Sequence, residues 1–289
     1  QHLPDFKPQL ADGSTPTINV RQLLTHTSGL GYGFTESLDG PYHRAGVSDG
    51  LDVPGRSFAD NAKRLASVPL RAAPGSAFHY SLSIDVLGEV VARAGGASLP
   101  ELVTLLVTQP LHMTDTAFRV VDPARLVTAY ANADNGPILI NDGQLVPLGG
   151  SAVTFAPSRI KDPASYPSGG AGMAGTAGDF LTFLEALRTN SVGLRAETLE
   201  ALAHDQLGAA DSSELGSGVR FGYASSILVD PARAKSVANP GTLRWGGAYG
   251  HSWWIDREAK LSIVLLTNTT FEGMVGQITR DVEHAVYGR

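Results

Sequence analysis

The apolar pattern of this chain changes its period near Leu207, and that change limits the architectures open to it. Before it, apolar residues recur every three or four positions: Ile84, Leu87 and Val91, then Phe180, Phe183, Leu184 and Leu187. That spacing puts one apolar stripe on a helix. After it come short apolar segments at 221–229, 243–245, 252–255 and 261–267, with residues 256–260 as the turn between the last two. Val275, Ile278, Val282 and Val286 then mark a closing helix. Helices first and closely connected strands later predict an α+β fold with antiparallel strands, not alternating βαβ units. Residues 1–208 read as a mainly helical region and 209–289 as the sheet region. No internal repeat divides the chain.

Local signals place several boundaries. Residues 1–16 are a polar lead-in. A short helix at 20–25 has Asn19 or Thr17 as its cap, and Gly29, Gly31 and Gly33 end it. Residues 40–55 are loop-like. The helix at 83–94 has Gly95 where a C-terminal cap belongs. Ser98 and Glu101 form a capping-box pattern with Leu102, Leu105 and Leu106 behind it, and Thr176–Asp179 opens another helix. Residues 197–204 predict a further helix. Residues 138–148 predict a hairpin around Asp142-Gly143.

Composition closes several functional classes. The formal net charge is -6 and no Lys/Arg cluster forms a stripe, so a nucleic-acid partner has no electrostatic footprint. No apolar run approaches the ~20 residues of a membrane helix. The absence of cysteine removes disulfides, thiolate metal sites and a cysteine nucleophile. His26, His43, His79, His112 and His204 stand at no metal-binding spacing, so neither a metal nor a cofactor is expected. The chain begins at Gln1 without a signal-peptide layout, which reads as a processed or truncated end and leaves the compartment open, cytoplasmic or exported.

Candidate nucleophile motifs mostly fail on context. Gly149-Gly150-Ser151-Ala152-Val153 lacks the final glycine of a nucleophile elbow. Ser158-Arg159-Ile160-Lys161 matches Ser-x-x-Lys but lies between Pro157 and Pro163 without helical periodicity. Gly170 to Gly175 matches G-x-G-x-x-G, but no strand directly precedes it, so a dinucleotide site is not supported.

Five segments in order carry a resemblance: INVRQLLTHTSGL at 18–30, PGSAFHYSLSIDVLG at 74–88, PLHMTDTAF at 110–118, GGAGMAGTAGDF at 169–180 and WGGAYGHSWWID at 245–256. Together they resemble the serine hydrolases related to class C β-lactamases and penicillin-binding proteins, closest in pattern to family VIII carboxylesterases. The resemblance implies a β-lactamase/DD-peptidase-like fold, an antiparallel sheet flanked by helices beside a mainly helical region. It also implies a three-part site: Ser-x-x-Lys on a helix, a tyrosine motif, and a K-T-G-type strand. Tyr80-Ser81-Leu82 matches the second part, and Trp245-Gly246-Gly247 the third in its esterase-like form. The first part belongs upstream of LLTHTSGL, where residues 1–17 hold no such motif.

The resemblance therefore implies that 289 residues are not a self-sufficient enzyme. A complementary N-terminal segment of the same protein would supply the nucleophile and strands for the sheet. Acyl transfer also needs an oxyanion site. Gly246 and Gly247 would let a carbonyl approach the strand backbone, and the Ala248 N–H would be one oxyanion donor. Trp245 stands where β-lactamases carry a lysine for the substrate carboxylate, which points to neutral short-chain esters. His251 follows the same turn and is a candidate site residue. A β-lactamase or D-amino-acid peptidase acting on amides is the alternative enzyme, and a non-catalytic binding module lacking the nucleophile is the alternative outside catalysis.

Overall fold

The computed structural model describes residues 2–288. Its centre is a five-stranded antiparallel sheet of β5 (Val219–Phe221), β6 (Ser226–Leu228), β7 (Leu243–Gly247), β8 (His251–Asp256) and β9 (Leu261–Leu266), in sequential order. Two small two-stranded sheets precede it. One pairs β1 (Tyr130–Ala131) with β2 (Ile138–Leu139), the other β3 (Gln144–Leu148) with β4 (Ser151–Phe155). Helices dominate the first half of the chain, as expected for α+β.

Alternation along the strands explains the layers. Leu243 and Ile255 face the Ala177–Thr189 helix, where Leu184 is fully buried and Phe180, Phe183 and Leu187 pack beside it. The opposite face is held by polar contacts to the C-terminal helix Gln277–Tyr287. There the Arg244 guanidinium meets Glu283 at 3.4 Å and the Tyr287 hydroxyl donates to Asp256 at 2.7 Å. A second core lies in the helical region, where Leu23, Leu30, Tyr42, Leu65, Leu82 and Val86 cluster.

Several caps are as the sequence implies. Asn19 caps Val20–Leu24 in a capping box with Gln22, Ser98 does so with Glu101, and Thr176 accepts the Asp179 N–H. Five expectations need correction. Residues 138–148 are not one hairpin. Gly143 does sit in a turn at φ 79°, but its flanks diverge, β2 pairing with β1 and β3 with β4 through Gly149-Gly150. A two-residue Gly-Gly loop is the stronger hairpin device. Residues 221–229 are two strands, split by a turn in which Ala224 takes φ 61° and its N–H donates to the Leu24 carbonyl. The left-handed cap after Ser83–Gly95 is Gly96, not Gly95, because the helix runs one residue further. Leu105 and Leu106, expected behind the capping box, lie in a π-helical turn and are 61% and 67% exposed. The closing helix is also broken, at Gly276, into Glu272–Val275 and Gln277–Tyr287.

β9 is an edge strand whose sole partner among the described residues is β8. β6 pairs with β7 only at Ser226↔Arg244 and Ile227↔Leu243. The Trp245–Gly247 end of β7 therefore runs beyond β6 and keeps one edge without a strand.

Candidate active site

Tyr80 lies beside that free edge. Its ring centroid is 5.2 Å from Trp245 in an edge-on contact, and Trp245 in turn lies 5.2 Å from Phe221. The fold thus joins the Y-S-L loop to the W-G-G strand. Alternation along β7 puts Trp245 and Gly247 on one face and Arg244 on the other, where Glu283 holds it.

His251 pairs with Gly247 across the β7–β8 ladder, so its side chain shares the Trp245 face. The fit is close: a Cβ at Gly247 would lie 2.2 Å from His251 Nε2. A Cβ at Gly246 would meet Met274 Cγ at 2.7 Å and the His251 carbonyl at 3.1 Å. A side chain at either position would therefore force His251 or Met274 to shift, a packing demand beyond the carbonyl approach expected of the glycines. Burial lowers the His251 pKa and keeps the imidazole neutral. Ala248 packs on the cluster of Val153 and Phe155, and its carbonyl accepts the Phe271 N–H at 3.0 Å.

Burial also governs Tyr80, raising its phenol pKa above the usual 10, while hydrogen bonding with the Trp245 and Tyr32 side chains offsets part of the rise. No cation among the described residues contributes to that balance. The phenol in this state holds its proton; a base role requires a cation beside it.

Three residues not expected from sequence surround Tyr80. Tyr32 is buried with its ring 5.0 Å from Tyr80, and His26 is buried at 4.8 Å. Asp85 lies one helical turn into Ser83–Gly95, and its carboxylate has no partner at hydrogen-bond geometry. Burial raises its pKa to about 6, although Ser168, Tyr166 and Arg159 lie near enough to pull it back. A Cβ at Gly170 would touch both the Tyr32 hydroxyl, at 2.7 Å, and Asp85 Oδ2, at 2.9 Å. Gly170, from the G-x-G-x-x-G match, is thus packing space between two polar groups. In the sequence His26 and Asp85 fall inside two of the segments that carry the family resemblance, and Tyr32 stands between Gly31 and Gly33.

Ser158 is bonded to Asp142. It lies in a 3₁₀ turn, Pro157–Lys161, where its N–H donates to Asp142 at 3.0 Å and its hydroxyl donates to the same carboxylate. Among the described residues no Ser-x-x-Lys pair faces Tyr80, and no group of three or more His, Asp or Glu side chains is arranged for a metal.

Comparison with known proteins identifies the family and the fold. A family model described as beta-lactamase matches residues 1–287. Esterase EstB of Burkholderia gladioli is 50% identical over 291 aligned positions, which cover 99% of this chain and 74% of that protein. Among solved structures, EstCE1, described as a hydrolase with promiscuous acyltransferase activity, superposes with a TM-score of 0.92 at 42% identity, covering 99% of this chain and 76% of that one. Simvastatin synthase (LovD) from Aspergillus terreus shares the fold at a TM-score of 0.71 and 21% identity, over 99% of this chain and 75% of its own.

Proposed function

This chain belongs to the beta-lactamase family, and we propose that it forms the larger part of a serine carboxylesterase acting on neutral short-chain esters. The contact of Tyr80 with Trp245 at 5.2 Å carries the proposal. It joins the tyrosine motif to the free edge of a strand whose W-G-G motif begins with an indole, not an ammonium. An indole offers an apolar surface to an acyl or alcohol group and no charge to a carboxylate.

In the proposed reaction a serine oxygen adds to the ester carbonyl while its proton passes to the Lys–Tyr80 pair. The oxyanion rests on the Ala248 N–H and on the serine's own N–H. The C–O bond to the alcohol breaks, and the leaving oxygen takes its proton from Tyr80. Water then repeats the sequence on the acyl-enzyme and releases the acid. Tyr80 can alternate between base and acid only beside the lysine, because burial alone holds its proton on.

The serine and lysine come, in this proposal, from a segment outside these 289 residues. Three observations support that: the missing Ser-x-x-Lys beside Tyr80, the unpaired outer edge of β9, and the greater length of EstB and EstCE1. The test compares a short-chain nitrophenyl ester with a chromogenic cephalosporin, using active protein. Ester turnover should dominate, and Tyr80→Phe should lower kcat by roughly 10²-fold or more. Preferential cephalosporin hydrolysis would assign the site to lactams instead, and normal turnover by Tyr80→Phe would remove that residue from the mechanism.

A further inference from the structure

The loop carrying Tyr80 is fastened at both ends to one residue, His26, which the reaction above does not use. The Ser81 N–H donates to His26 Nδ1 at 3.2 Å. On the other side the His79 N–H donates to the His26 carbonyl at 2.9 Å. The residues flanking Tyr80 are thus bound to the same histidine, one through its side chain and one through its main chain. Between these two bonds the imidazole lies against the Tyr80 ring, centroids 4.8 Å apart, with Phe78 at 5.8 Å and Phe221 at 5.5 Å on its other sides.

We propose that His26 is the positioning residue for Tyr80, fixing the phenol at the free edge of β7 through this two-bond bracket. The proposal rests on the catalytic part assigned to Tyr80 above. An N–H aimed at Nδ1 requires that nitrogen to be an unprotonated acceptor, so the ring proton resides on Nε2. Burial agrees, lowering the His26 pKa to about 3 and keeping the ring neutral. Beyond Ser81, hydroxyl contacts continue from Ser81 to Ser83 at 2.8 Å and from Ser83 to Ser28 at 2.7 Å. Ser28 Oγ accepts the Leu30 N–H at 3.2 Å, so the bracket is anchored in the segment that bears His26. His26 also takes φ 52°, a left-handed conformation uncommon outside glycine, in which asparagine, aspartate and histidine are the enriched side chains. The local chain holds that conformation while its imidazole and carbonyl both bind the Tyr80 loop.

The geometry makes the choice of variants. Asparagine tolerates left-handed φ and places a side-chain oxygen near the position of Nδ1. Leucine fills similar space but accepts nothing. In the active protein, with nitrophenyl butyrate as substrate, His26→Leu should lower kcat roughly 10²-fold, the scale of a misplacement near 1 Å. KM should stay within about threefold, since the ester is bound by the Trp245 strand. His26→Asn should recover kcat to within about tenfold of the parent. Tyr80→Phe is measured beside them. Normal kcat in His26→Leu with an impaired Tyr80→Phe overturns the bracket alone. Equal impairment in the Leu and Asn variants also overturns it, because the histidine then matters for packing and not as an acceptor. Normal turnover in Tyr80→Phe refutes the assigned function, and the bracket with it. Should His26→Leu fail to fold, ¹⁵N NMR of the unaltered protein decides: a proton on Nε2 supports the bracket, and one on Nδ1 refutes it.

Discussion

Gly247→Ala isolates the closest packing in the site. The added methyl would lie 2.2 Å from His251 Nε2, 2.6 Å from Cδ2 and 3.0 Å from Cε1. Ordinary contact begins near ~3.5 Å, so the ring must retreat by about 1.3 Å. Pairing on both sides, with Gly247 of β7 and Leu266 of β9, holds the His251 backbone, so the shift falls on its side-chain torsions. Overpacking of this kind costs about 1–3 kcal/mol. A thermal midpoint should fall by about 2–4 °C for each kcal/mol in a domain of this size class. His251→Ala removes the obstacle. The double variant should therefore be less destabilised than the sum of the single changes by about 1–3 kcal/mol, the signature of direct contact. Urea unfolding followed by fluorescence of Trp245, Trp253 and Trp254 measures this. Additivity within about 0.5 kcal/mol would refute the claim that His251 is what demands glycine at 247. Ester turnover of the double variant gives a separate answer. Recovery of stability without recovery of rate would mean that the substrate also needs the space.

Asp85 should leave a pH signature in stability. Its native pKa of about 6 is above the ~3.9 of an unfolded aspartate, so the folded protein binds more protons between these values. Stability should fall as pH rises from about 4 to 6 and then level off for this group, and Asp85→Asn should remove that part of the slope in the urea midpoint. An unchanged slope in the variant would clear Asp85 of the effect; Asp49, raised to about 8 mainly by burial, acts with the same sign up to higher pH. Ser158→Ala should cost about 0.5–1.5 kcal/mol through its lost bond to Asp142 and leave ester turnover unchanged. A tenfold drop in kcat at that position would return Ser158 and Lys161 to consideration as a catalytic pair.

What the sequence disclosed was mostly local. Asn19, Ser98 and Thr176 each bond to a backbone N–H three residues on, so the motif and the contact lie in the same few residues. The α+β layout was legible for a similar reason, because periodicity is a property of one segment. The hairpin around Gly143 was misplaced since a turn does not determine what its flanking strands pair with; β1 and β4 made that choice. Tyr80 and Trp245 were found through family motifs, not spacing. His26 was passed over because its meaning depends on Ser81, fifty-five residues away. The glycines of β7 were recognised, yet their reason was incomplete until the register put His251 opposite Gly247.

The outer edge of β9 has a consequence for handling the chain. Its six residues, Leu-Ser-Ile-Val-Leu-Leu, hold neither a charge nor a proline, and β8 satisfies only one side of the strand. Natural sheets protect such margins with lysines, prolines, bulges or a covering element, because an uncovered row of amides templates another strand. Segments that are apolar, β-branched and uncharged are also those that stack into fibrils. Wherever this edge is left bare, during synthesis or in a recombinant fragment, self-association through Leu261–Leu266 competes with correct assembly. The competition sharpens with protein concentration, so a charged residue within this strand would act as a gatekeeper against clumping.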